Sequence, residues 1–149
     1  GKSLLSAHLL AETQKQGGVA VMIDTETAVS RDFLDELTLL AENPAVKAIG
    51  ECGLDFNRNY SPQDIQLSVF QQQLILASEL DAPIFSHQRD AHNAFIQVLD
   101  NVAIKPNRLV VHCFTGSEAE LNEYIDRGYY IGITGWICDE PFSSFKRAL

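Results

Sequence analysis

Polar and apolar positions follow two alternating rhythms along the chain. Five short apolar runs, at residues 19–23, 46–49, 83–85, 109–111 and 129–133, are rich in β-branched side chains. Such nearly continuous runs suit strands covered on both faces, as in a parallel sheet. Between them the spacing becomes helical. Phe33, Leu37, Leu40 and Ala41 recur at i, i+4, i+7 and i+8, and Ala91, Phe95, Val98 and Leu99 repeat that pattern.

The punctuation supports the same division. Gly17-Gly18 closes a first helix and Asn43-Pro44 a second. Ser61-Pro62-Gln63-Asp64 places a cap, a first-turn proline and an acid ahead of a helix predicted to reach about Leu80. Ser117 and Glu120 have the spacing of a capping box, Gly128 stops the helix that follows, and residues 141–149 predict a short amphipathic helix opening on Pro141. The expected fold is α/β. A single domain of helices alternates with five mainly parallel strands, joined by right-handed crossovers into a doubly wound layer or a partial (β/α) barrel. A closed eight-stranded barrel takes about 250 residues, against 149 here.

Composition narrows the function more than the fold. Eleven Lys and Arg against 20 Asp and Glu give a net charge of −9, so no broad basic surface is expected and DNA binding should be weak or absent. The same balance suits a small acidic site that recruits a cation. No apolar run approaches the roughly 20 residues that cross a membrane, and the first residues lack a signal-peptide layout. Cys52, Cys113 and Cys138 form no C-x-x-C pair, so reduced thiols, a cytoplasmic location and no cysteine-built zinc site are expected.

Ligands of parallel α/β folds bind beyond the carboxyl ends of the strands. The residues that follow four of the five apolar runs are Asp24 (with Glu26 two positions on), Glu51, His87 and His112. Carboxylate oxygen with imidazole nitrogen suits Zn, Mn or Fe, and carboxylate with water suits Mg. A site for a divalent metal (Mg, Mn or Zn) is therefore expected at this sheet edge.

Four stretches carry a family resemblance: Ala48-Ile49-Gly50-Glu51-Cys52-Gly53-Leu54-Asp55-Phe56, His87-Gln88-Arg89-Asp90-Ala91, His112-Cys113-Phe114-Thr115-Gly116 and Tyr130-Ile131-Gly132-Ile133-Thr134-Gly135. Through them, residues 35–140 resemble the TatD family of metal-dependent deoxyribonucleases, within the amidohydrolase-like barrel superfamily. The resemblance implies phosphodiester hydrolysis, in which metal ions activate water and stabilise charge on the phosphoryl oxygens. It implies that Glu51 ligates or bridges the metals and that His87 and His112 are ligands. Asp55 and Arg89 fall in the same motifs. Each either orients ligands or substrate phosphate, or serves locally as a loop cap or ion-pair partner.

The departures from that family shape further expectations. Its first-strand ligand motif and its Gly-Val-His-Pro-like turn are absent, and its Glu-Thr-Asp-Ala-Pro strand would lie beyond Leu149. An incomplete site with weak or no hydrolysis is expected on that basis. Gly1-Lys2-Ser3, together with the stretch from Gly17 to Glu26, instead resembles a RecA-type ATPase core, with Glu26 at the position of its water-activating acid. Lys2 and Ser3 would then be nucleotide contacts. The rest of the P-loop is missing, which argues against ATP binding. Joined near residues 31–36, the two resemblances lead to the expectation of a chimera, with a non-catalytic scaffold as the alternative. In such a chimera Asp24 could replace a lost carboxylate ligand, and exposed sheet edges would favour self-association. Trp136 is read as either stacking on a base or packing over a strand end, and His8 and His92 as helix-surface or packing residues.

Overall fold

The computed structural model describes residues 37–44 and 46–135. Four strands and three helices alternate: β1 (Ile49–Asp55), α1 (Gln63–Glu79), β2 (Ile84–Arg89), α2 (His92–Val102), β3 (Leu109–His112), α3 (Glu118–Asp126) and β4 (Tyr130–Ile131). A helical turn at 37–41 precedes β1 and ends ahead of Asn43-Pro44, where the sequence predicts a stop. The apolar run at 19–23, the Gly17-Gly18 stop, His8, Asp24, Glu26, Lys2, Ser3, the expected joint at 31–36, Trp136, Cys138 and the helix expected at 141–149 lie outside the described residues.

The sheet order is β1-β2-β3-β4, with every neighbouring pair parallel. Successive right-handed crossovers between adjacent strands put every helix on the same side of the sheet. Burial shows the consequence. Along β2, Ile84, Ser86 and Gln88 are buried, whereas Phe85, His87 and Arg89 are exposed or half-buried. Along β3, Leu109 and Val111 are buried, and Val110 and His112 are only partly so. Unbroken order with one-sided helices is the arrangement of a barrel segment. A doubly wound sheet reverses its order at a switch point. Among the described residues the partial-barrel alternative therefore holds, and the expectation of strands covered on both faces is corrected. Phe85 and Val110 made the runs read as continuous because the open face also carries apolar side chains.

The core lies between the sheet and the helices. Phe70 and Leu74 from α1, Phe95 and Leu99 from α2 and Tyr124 from α3 pack with Leu54, Leu109 and Val111 of the strands, all of them almost fully buried. Phe70 and Phe95 stack at a centroid separation of 5.0 Å, joining the first two helices. Each such large apolar side chain contributes about 1.5–3 kcal/mol on burial.

The boundaries of three elements differ from the sequence expectation. Helix α1 begins at Gln63, with Pro62 as its cap residue in an extended conformation (ψ 143°) and no side-chain cap bond. Gln66 instead ties the loop down, its Oε1 accepting from the Asp55 amide at 2.9 Å and its Nε2 donating to Ser61 O at 2.8 Å. β1 and β2 also run several residues beyond their apolar runs. The capping box of α3 is present, with Ser117 Oγ accepting from the Glu120 amide and Glu120 Oε2 from the Ser117 amide.

Candidate metal centre

The extended strands change where the candidate ligands sit. Glu51 and His87 lie inside β1 and β2 rather than just past them, and His112 is the last residue of β3. Gly50 pairs with Phe85 and Cys52 with Ser86, which leaves Glu51 as the extra residue of a bulge. The bulge turns the Cys52 side chain into the core and leaves the Glu51 side chain 45% exposed beside the open face. Two positions on, Gly53 is paired with His87 at φ +148°, and a Cβ there would lie 1.8 Å from the His87 carbonyl oxygen. Only glycine lets β1 approach β2 this closely. His87 pairs in turn with His112, so both imidazoles project from the same face, their centroids 5.5 Å apart.

Glu51 Oε1 is the point on which this geometry converges. It lies 2.7 Å from His112 Nε2 and 3.6 Å from His87 Nδ1. On the other side of the His87 ring, Nε2 lies 3.5 Å from Asp55 Oδ2. With Asp55 as acceptor for the Nε2 proton, the lone pair of His87 falls on Nδ1. That atom is buried and has no hydrogen-bond partner among the described residues. Phe85 stacks on His112 at 4.6 Å and fixes the plane of that ring.

Electrostatics keep Glu51 and His87 ready to ligate. The hydrogen bond from His112 holds the Glu51 carboxyl below its usual range against the opposing effect of burial, so Glu51 is an anion near neutral pH. Burial depresses His87, the neighbouring carboxylates only partly offsetting it, so its imidazole is neutral. These are the protonation states that metal binding requires. The donor atoms of Glu51, His87 and His112 all lie within 4.8 Å of one another. One carboxylate oxygen, two imidazole nitrogens and a buried lone pair without a partner fit a divalent cation.

The remaining candidates divide. Asp55 does both things expected of it, since Oδ1 accepts from the amides of Asn57 and Arg58 to cap the loop while Oδ2 faces His87. Arg89 ends β2 opposite Asp55, and its guanidinium forms no ion pair with any described residue. Cys52 is turned into the core, away from the ligand side of the sheet, and burial pushes its thiol up to about 12. His92 packs against α3. The roles of Gly53, Phe85 and Gln66 were not foreseen from the sequence. For Phe85 the i, i+2 spacing from His87 was the available signal, because alternate strand residues share a face.

A one-sided parallel α/β layer brings a carboxylate and two imidazoles together from three adjacent strands, an arrangement that suits a divalent cation. The family model described as TatD related DNase matches residues 7–149. The chain belongs to this family. It is 55% identical over 106 residues to the 3'-5' ssDNA/RNA exonuclease TatD of Citrobacter koseri, covering 71% of this chain and 41% of that relative. It is 53% identical over 106 residues to the same exonuclease of Salmonella typhimurium, again covering 71% and 41%. The chain thus spans about two-fifths of the length of these curated relatives. Among solved structures, the TatD homolog YJJV from Escherichia coli K12 superposes with a TM-score of 0.79 at 28% identity, covering 95% of this chain and 56% of that one. A TatD family hydrolase from Entamoeba histolytica gives 0.63 at 37%, covering 71% and 36%. The family match runs through residues 31–36 without interruption, and the comparisons lend no support to a RecA-like segment or to a chimera.

Proposed function

We propose that this chain hydrolyses phosphodiester bonds of single-stranded nucleic acid at a divalent-metal site held by Glu51, His87 and His112. The observation that carries this reading is the convergence of both imidazoles on Glu51 Oε1, with His87 Nδ1 buried and without a hydrogen-bond partner among the described residues. The names of the relatives, 3'-5' ssDNA/RNA exonucleases, supply the substrate class. A divalent ion bound there would supply Lewis acidity toward water and the phosphoryl oxygen. Asp55 holds the His87 ring in the ligating tautomer. Arg89, without an ion-pair partner among the described residues, faces the substrate phosphate from the end of β2, where a guanidinium makes charge-assisted hydrogen bonds. The net charge of −9 opposes long-range attraction of a polyanion, so substrate affinity rests on the cation and a few arginines and stays weak.

A labelled single-stranded oligonucleotide incubated with Mn²⁺ tests the reading. Cleavage is expected to need the metal, to stop with a chelator and to fall by at least about 100-fold in Glu51→Gln and His87→Ala, the scale of losing a key electrostatic group. Cleavage at the parent rate in both variants, or calorimetry showing no Mn²⁺ bound by the parent, would overturn it.

A further inference from the structure

On the helix side of the sheet, opposite the candidate ligands, an ordered polar chain runs between the same strand ends. Gln88 follows His87 on β2, and its side chain points to the other face because successive strand residues alternate. It is buried. Its Oε1 accepts from the Ala91 amide at 3.2 Å, closing the turn that contains Arg89 and Asp90. Its Nε2 donates to Tyr124 Oη at 3.0 Å. Tyr124 Oη lies 2.9 Å from His92 Nδ1, and His92 Nε2 lies 2.8 Å from Glu123 Oε2. Arg127 donates to Glu123 Oε1 and bridges to Asp100 of α2.

One direction of donation satisfies the whole chain. Gln88 donates to Tyr124, the Tyr124 hydroxyl to His92 Nδ1, and His92 Nε2–H to the Glu123 carboxylate. Buried networks in which every member is satisfied fix a single arrangement. Tyr124 is the hub. It is completely buried, and it meets the rings of His92, Phe95 and Phe114 edge-on at 5.1, 6.0 and 6.0 Å. Phe114 stands two residues after His112, and Gln88 one residue after His87. A single side chain therefore touches the chain beside both histidines.

We propose that Tyr124, with His92, is a positioning residue for the metal centre. It braces the ends of β2 and β3 from behind and so sets the spacing of His87 and His112. This inference rests on the metal-binding reading above. Hydrogen-bonding partners outside a ligand set change metal affinity by about 10–100-fold when removed.

The test is calorimetric titration of the folded chain with Mn²⁺, beside urea unfolding of the metal-free protein. Tyr124→Phe keeps the ring and removes the hydroxyl, and should weaken Mn²⁺ binding by about tenfold. His92→Leu, which removes the acceptor of that hydroxyl, should act in the same direction and provides a second route should Tyr124→Phe not fold. Phe95→Leu is the control, since Phe95 packs on Tyr124 without joining the polar chain. It should lower stability and leave affinity unchanged. Parent-like affinity in both polar variants, or equal loss in Phe95→Leu, overturns the positioning role while leaving the metal site standing. Absence of Mn²⁺ binding by the parent would overturn both.

Discussion

The Nε2 of His112 and the Oε1 of Glu51 lie 2.7 Å apart although 61 residues separate them in the chain and β2 runs between their strands. The contact reaches across β2 at the level of His87. It exists because the bulge at Glu51 carries that side chain out of the regular alternation of β1. A negative carboxylate beside the buried, neutral His87 also makes folding sensitive to acid.

His87 titrates below its ordinary value of 6.5 in the folded chain because burial disfavours its charged form. The unfolded chain therefore binds more protons just below that value, and stability rises with pH through this window and is lost on acidification. Glu51 is lowered below 4.5, so its contribution is present above that value and disappears as pH falls through its lower folded value. Acid should thus weaken the metal-free protein in two steps, first through His87 and then through Glu51. Urea unfolding in chelator across this range checks the order. His87→Gln should flatten the upper step and leave the lower one.

Gly53 sets how closely the first two strands approach beside the ligands. A methyl group there would meet the His87 carbonyl at 1.8 Å, with φ at +148° in a region that other residues rarely adopt. Neither atom can move without breaking the β1–β2 ladder. Gly53→Ala should therefore destabilise by about 3 kcal/mol or more, combining backbone strain with overpacking. Loss of divalent-metal binding should accompany it even where the protein remains folded in the cold. Chemical denaturation and Mn²⁺ titration of the variant would measure both effects, and parent-like behaviour would show that the strands can part there at little cost.

The helices and the cap of α3 were legible because their signals are local, whereas the Ser61 cap expected for α1 is replaced by Pro62. The Ser117–Glu120 box and the Gly128 stop are each written within a few residues and appear where expected. The rule that ligands follow strands also picked out Glu51, His87 and His112, the three residues that converge. Strand limits were less legible. Gly50 and Gly53 have little strand preference, and Ser86 to Arg89 are polar, yet pairing with neighbouring strands draws all of them into the sheet. The link from Asp55 to His87 depends on the register beyond the bulge, which no local pattern encodes. His92 could be read only as a surface or packing residue, because its partners Tyr124 and Glu123 lie more than 30 positions away.

Gln73 stands against the usual economy of a core. It is completely buried in the middle of α1, next to Leu74, and neither its amide nitrogen nor its amide oxygen has a hydrogen-bond partner among the described residues. Leaving such groups unpaired costs about 1–3 kcal/mol. Methionine matches its unbranched shape without carrying polar atoms and fills irregular gaps well. Gln73→Met should therefore stabilise the fold by about 1 kcal/mol or more, raising the thermal midpoint by a few degrees and leaving metal affinity unchanged, since α1 contributes no ligand to the centre. Differential scanning calorimetry on the metal-free protein gives the answer. A fall in the midpoint would mean that the amide is satisfied by an internal water whose hydrogen bonds methionine cannot replace.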